Sequence, residues 1–390
     1  MSLPSSALQG SATAFDVIVL GAGMAGASIA AELAPHRRVL LLEREDQPGR
    51  HTTGRSAAMF FESYGNATVR GLTRASRAFL EQPPEGFAEV PLMSPRAALF
   101  VAGQEALPRL QAMIDAPDAA PTLRRLSPAQ TLALVPILRP EAVAGGALDD
   151  SGCDMEVAAI LQGYLRLARR GGAQVVLGGT DVLLQRAGGL WTVDSRAGRF
   201  QAPVVVNATG AWADELARQA GAQPVGLQPM RRTAMTIPAP QGHDTRHWPM
   251  VIDVDETVYF KPDAGQMLLS PANEDPMPPC DVAPEELDIA LAVHRFEELT
   301  TVPVKRIAHR WAGLRSFVAD RSPVAGWDPR AEGFFWLAGQ GGYGIQMAPA
   351  LARAAAAMLL GQALPADIAA QGVTPQALSP DRLRPSRLRP

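Results

Sequence analysis

Residues 16–43 constrain the fold of this chain more than any other stretch. Asp16-Val17-Ile18-Val19-Leu20 is a short apolar run. Gly21-Ala22-Gly23-Met24-Ala25-Gly26 follows without a break, residues 27–34 read as a helix of small side chains, and Val39-Leu40-Leu41-Leu42-Glu43 is a second apolar run ending in an acid. Strand, glycine turn, helix and strand in that order make a βαβ unit. Gly21 allows the tight turn, Gly23 lets the backbone approach a pyrophosphate, and Gly26 lets helix and strand pack closely. The helix N-terminus presents unpaired N–H groups and a positive dipole end to phosphates. Glu43, 22 residues beyond Gly21, is placed to bind ribose hydroxyls. The expectation is a dinucleotide site.

The turn does not distinguish FAD from a nicotinamide cofactor, but three later segments favour FAD. Gly54-Arg55-Ser56-Ala57 follows the second strand and can continue along a pyrophosphate and ribityl chain. Asn207-Ala208-Thr209-Gly210-Ala211-Trp212 ends a buried strand in small residues. The run Gly339 to Gly344 precedes a helix and offers a second N-terminus to the far end of a long cofactor. Ala208, Thr209, Gly210, Trp212, Gly341, Gly342, Tyr343, Gly344, Ile345 and Gln346 are therefore read as cofactor-facing, with Arg44, Thr53, Val182, Gly313 and Arg315 completing the set.

The coarse pattern gives a helix from about Glu156 to Arg170, strands near 175–177, 190–194, 204–207 and 333–339, and a helix over 348–360. Residues 81–150 are rich in proline and read as irregular; residues 231–318 alternate in the manner of an antiparallel sheet. The expected architecture is α/β: a Rossmann-like FAD-binding domain from 13–80, 151–230 and 319–375, interleaved with an α+β substrate domain from 81–150 and 231–318 on a mainly antiparallel sheet. Residues 1–12 and 379–390 are expected to be flexible.

Composition removes other classes. A net charge of −3 gives no field for nucleic acid. Cys153 and Cys280 form no CxxC, and the six histidines no metal-type pair, so neither a disulfide framework nor a metal site is expected. No apolar run of about 18 residues predicts a transmembrane helix. The first fifteen residues lack signal-peptide character, and a cytoplasmic location is expected.

The combination of GAGMAG, HTTGRSAA, NATGAW, WAGLRSF and GGYGIQ resembles the D-amino acid oxidase-like (DAO) family of FAD enzymes, and within it the bacterial FAD-dependent D-arginine dehydrogenases. That resemblance implies oxidation of the Cα–N bond of a D-amino acid by hydride transfer to flavin, giving a 2-oxo acid and ammonia. It implies that Arg232 and Arg315 clamp the substrate carboxylate with support from Tyr259, and that Tyr64, the Gly342 carbonyl and Gln346 surround the amine. Guanidinium suits the first task because its planar fork pairs with a carboxylate bidentately.

The departures concern the side-chain pocket. Met59 stands where those dehydrogenases have a histidine near the amine, Phe61 where they have a threonine, and Ala98 where they have the glutamate that pairs a guanidinium. Met250 and Ile252 keep the wall apolar, and Tyr343 and Ile345 belong to the same pocket. A buried cation without a carboxylate partner is costly, so apolar D-amino acids are expected over D-Arg. The alternative is a secondary amine or a 2-hydroxy acid, which the same clamp would hold. The flavin is expected to be non-covalent, since neither cysteine sits in an attachment-like segment. The electron acceptor is expected to be a quinone or another molecule, and the chain a monomer.

Overall fold

Strands Val17–Leu20 and Val39–Leu42 are buried along their whole length, as parallel strands covered on both faces must be. They lie side by side with Val17 opposite Val39. Val204–Asn207 pairs on the other flank of Val17–Leu20, and Phe334–Ala338 pairs beyond it, both parallel. Gln174–Val176 and Val324–Trp327 form the two edges of this six-stranded sheet, the latter antiparallel. The computed structural model describes residues 12–116 and 122–384.

Helix Met24–Leu33 has eight buried residues out of ten, so it is enclosed on nearly every side. It packs between helices Val157–Arg170 and Ala348–Leu359 on one face of the sheet. A hairpin layer of Leu183–Ala187, Leu190–Ser195 and Gly198–Ala202 covers the other face through Trp191, Phe334 and Trp336.

The second unit is a nine-stranded mixed sheet. Its neighbours run antiparallel except Met250–Asp253 beside Ala98–Ala102, which are parallel. The proline-rich stretch 81–150 is therefore not irregular: it supplies strands Ala98–Ala102, Leu123–Leu126 and Gly145–Asp149 to this sheet. Side chains alternate across it. Leu99, Val101, Val251 and Phe260 face helix Glu286–Leu299. Ala98, Phe100, Met250, Ile252 and Tyr259 face the other way, where Phe61 and Tyr64 meet them.

The C-terminal stretch expected to be flexible is docked as far as Arg384. Asp328 is buried and accepts from the backbone N–H groups of Arg330 and Ala331 and from Trp336 Nε1. Arg384 Nη2 donates to the same carboxylate at 2.8 Å, supplying the cation that a buried anion requires. Residues 1–11 and 385–390 lie outside the described residues. Among the described residues no helix is long and apolar enough to cross a membrane, and no group of His, Cys, Asp or Glu could hold a metal ion.

Candidate active site at the join of two cavities

The glycine turn is as tight as its sequence demands. Gly21 has φ +97°, and a Cβ on Gly26 would lie 1.7 Å from the Gly21 carbonyl oxygen. Gly26 is thus a packing residue and does not line the cavity that opens at the turn. Glu43 is buried and lines that cavity. Its Oε2 accepts from Ala22 N–H at 2.6 Å and its Oε1 from Glu45 N–H at 3.0 Å. A carboxylate offers about four lone-pair sites, so acceptor capacity remains beside the turn. Thr53 Oγ1 accepts from Met24 N–H at 3.0 Å and fixes the next loop over the helix N-terminus.

This cavity has a volume of about 410 Å³. Gly23, Met24, Ala25, Arg44, Ser56, Ala57, Val182, Ala208, Thr209, Gly210, Trp212, Gly313, Gly341, Gly344 and Ile345 all line it. Gly54 does not: it donates to Gly49 O and holds the turn. Arg55 lines the cavity, but its guanidinium is committed elsewhere. It donates to the carbonyls of Val282 and Ala312 and pairs with Asp281, tying its loop to the second unit. Sequence reasoning missed His51, which lines the cavity with its ring centroid 4.8 Å from that of Trp212 and its Nδ1 unpartnered.

The cavity fits an elongated dinucleotide. An acid and a helix N-terminus stand at one end, and a glycine segment with a guanidinium at the other. A Cβ on Gly342 would lie 2.8 Å from Arg315 Nη1, so only glycine lets the 341–344 segment approach that guanidinium so closely.

A second, smaller cavity of about 50 Å³ shares Ser56, Ala57, Arg232, Tyr259, Arg315, Gly342 and Ile345 with the first. Its further walls include Met59, Phe61, Tyr64, Met250, Ile252 and Gln346. Two expected members are absent from both. Ala98 is fully buried in the cluster that holds Phe61, Phe100 and Met250. Tyr343 packs its ring edge-on against Tyr64 at 4.8 Å, supporting the wall from behind. Phe100, two residues past Ala98 on the same face, lines the cavity in its place, and Glu256 joins from an exposed turn at φ +51°. The period of two along 98–102 could have pointed to Phe100; nothing local marks Glu256.

The two arginines sit on neighbouring strands, Gln228–Pro238 and His309–Phe317, where Arg232 pairs with Gly313 and Met230 with Arg315. Residues 313 and 315 share a face, so both guanidinium groups project to one side. They are not equivalent. Arg232 Nε donates to Asn273 O at 2.8 Å and Nη2 to Glu274 Oε1 at 3.1 Å. Glu274 also takes Arg321 at 2.9 Å. Burial would raise the Glu274 carboxyl, but Arg321, then Arg232 and Arg315, hold it below its ordinary value. Arg315 lies deep in the fold and has no carboxylate partner among the described residues; its Nη1 donates to the Tyr64 hydroxyl at 3.2 Å. Burial opposes its charge, yet Tyr64 and Tyr259 keep its pKa above the usual guanidinium value. Burial likewise pushes the Tyr259 phenol up, and Arg315 and Arg232 overcome it, leaving the phenol below its ordinary pKa. A half-buried guanidinium facing a cavity, with no carboxylate paired to it among the described residues, is suited to receive an anion.

The sequence matches the family described as DAO, FAD dependent oxidoreductase, over residues 16–358. Oxidoreductase YurR of Bacillus subtilis is 26% identical over 377 residues, covering 90% of this chain and 96% of that protein. Glycine oxidase from Geobacillus kaustophilus superposes with a TM-score of 0.78 at 20% identity, covering 90% of this chain and 95% of that one. L-proline dehydrogenase from P. horikoshii gives 0.79 at 20% identity, covering 95% and 98%. At that identity the likeness of the solved structures is one of fold. The family match spans most of the chain and both cavities: the chain belongs to the DAO family of FAD-dependent oxidoreductases, and FAD is its cofactor.

Proposed function

We propose that the chain oxidises the Cα–N bond of a D-amino acid, favouring apolar side chains over D-Arg. Arg315 carries this reading, because it offers a half-buried cation with no ion-pair partner among the described residues to a carboxylate where the two cavities meet. FAD held by the residues of the larger cavity would supply the acceptor for a hydride from Cα. The amine surrenders a proton, and water hydrolyses the resulting imino acid to a 2-oxo acid and ammonia. Tyr259 and Arg232 flank the carboxylate, and Tyr64, the Gly342 carbonyl and Gln346 surround the amine. Glycine oxidase and L-proline dehydrogenase, two structures of the same fold, are named for substrates that carry a carboxylate beside the reacting amine. The D configuration follows the motif resemblance to D-arginine dehydrogenases, as does an acceptor other than oxygen for the reduced flavin.

The side-chain preference rests on Met59, Phe61, Phe100, Met250, Ile252 and Ala272, which give the smaller cavity an apolar wall. An apolar group gains about 25 cal/mol per Å² buried there. Among the described residues Glu256 is the one carboxylate in that wall, and it is exposed. An exposed anion offsets little of the cost of burying a cation. The flavin is non-covalent in this reading: neither cysteine lines the larger cavity, although His51 does. Acid precipitation should therefore release the yellow colour into the supernatant, and colour retained on the pellet would refute this.

The test is anaerobic mixing of the flavoprotein with D-Met, D-Phe, D-Arg and L-Met, following the bleaching of the flavin band. Fast bleaching by D-Met or D-Phe, slow by D-Arg and none by L-Met is expected. Fast bleaching by D-Arg overturns the side-chain preference alone. Bleaching only by secondary amines or 2-hydroxy acids overturns the substrate class.

A further inference from the structure

Gln346 is almost fully buried, at 3% exposure, yet it lines the smaller cavity. A primary amide has a donor end and an acceptor end, and which one faces a ligand decides what it can bind. In this fold a residue outside both cavities makes that choice. Thr73 lies on helix Ala67–Glu81 and is fully buried. Its hydroxyl donates its single hydrogen to Val69 O at 2.9 Å, one turn back. It can then only accept from its other neighbour, Gln346, 2.9 Å away. The amide must place Nε2 on Thr73 and turn Oε1 to the opposite side. There Oε1 accepts from Phe61 N–H at 3.4 Å, a long bond that leaves lone-pair capacity unused. Phe61 and Gln346 line the same cavity.

The same helix repeats the device one turn on. Ser76 donates to Leu72 O at 2.8 Å and accepts from Ala350 N–H at 3.0 Å. Ala350 is the third residue of helix Ala348–Leu359, so Ser76 satisfies one of the orphan donors at that N-terminus. Threonine and serine are indifferent helix formers. Two of them, fully buried and both accepting from residues 346–350, are there for what they hold.

We infer that Thr73 is a positioning residue for amine recognition: it locks the Gln346 amide with its oxygen toward the cavity, as an acceptor for a substrate N–H. The inference rests on amine oxidation at this site. It predicts a change confined to ligands that carry the amine. A hydroxyl that merely packed the helix would affect all ligands alike, or none.

The experiment compares D-methionine with 4-(methylthio)butanoate, its counterpart without the amine, in the FAD-loaded wild type and in the T73V, T73S and T73A variants. Rapid anaerobic mixing gives Kd and the limiting reduction rate for the amino acid; spectral titration gives Kd for the carboxylate. In T73V the Nε2 end loses its acceptor and only the long bond from Phe61 N–H still orients the amide, so Kd for D-methionine rises about tenfold. Kd for the carboxylate stays within about twofold. T73S, which keeps the hydroxyl, restores wild-type discrimination, and T73A behaves as T73V should T73V fail to load flavin. Equal changes for both ligands, or none for either, overturn the inference while the proposed function stands. A wild type that is not reduced by D-methionine and binds it no better than the carboxylate overturns both.

Discussion

The Tyr64 hydroxyl accepts a hydrogen bond from Nη1 of Arg315 at 3.2 Å. The phenol thereby orients the guanidinium and keeps its own hydrogen for the cavity. Arg315→Lys retains the charge but loses the planar fork, and kcat/KM should fall about a hundredfold. Tyr64→Phe should cost less, about tenfold, because Arg315 keeps its charge and its place on the strand. Steady-state kinetics on the preferred amino acid checks both; equal losses would mean that Tyr64 does more than orient.

Glu274 Oε1 already accepts from Arg232 Nη2 at 3.1 Å. Replacing it by Gln should release Arg232 toward the incoming carboxylate and tighten binding roughly fivefold. The measurement is titration of the flavin spectrum with an unreactive carboxylate. Weaker binding in E274Q would show that Glu274 instead holds Arg232 in a productive pose.

Ala98→Glu tests whether the glutamate of the D-arginine dehydrogenases that the motifs resemble could be introduced by one substitution. Ala98 is fully buried beneath Phe61 and Phe100. A carboxylate there would be buried among apolar side chains and should destabilise the fold by roughly 3 kcal/mol or more. Denaturant unfolding should show this loss, and no gain in D-Arg turnover should accompany it.

Tyr343 gives a stability signature at high pH. Burial, reinforced by Tyr64 and opposed by Arg321, has its phenol pushed up to about 12, whereas a tyrosine in an unfolded chain ionises near pH 10. Between those values the unfolded chain loses the proton first, so the folded state binds more protons and stability falls as pH rises. The contribution is fully present below about pH 10 and is lost through pH 12. Relative to Tyr343→Phe, the wild type should hold a constant Tm difference from pH 7 to 9 and lose ground from pH 10 upward. A difference that stays constant to pH 12 would contradict the shift.

The dinucleotide half was legible because its chemistry is local. Gly21, Gly26 and Glu43 lie within one βαβ unit, and a turn that admits no Cβ can be read from its glycines. The substrate half depends on register, which local sequence does not carry. Glu274 reaches Arg232 because Arg231 pairs with Asp275 across two strands. Strands 98–102 and 145–149 are buried at every position, so they lack the polar alternation that announces a strand. The motif resemblance puts Ala98 in the pocket, whereas it is buried in one cluster with Phe61 and Phe100. The docking of Arg384 is not legible locally, because Asp328, the buried anion that anchors it, lies 56 residues upstream.

The six-stranded sheet also sets a schedule for the ribosome. Val17–Leu20 and Val39–Leu42 emerge well before the strands that complete their sheet: Val204–Asn207 comes some 180 residues after Val17–Leu20, and Phe334–Ala338 later still. Until residue 338 has left the exit tunnel, the cofactor floor has an open edge and Arg315 has no glycine segment against it. FAD can therefore be captured in full only after most of the chain has been synthesised. A nascent chain stalled before residue 334 should expose that unpaired edge to chaperones.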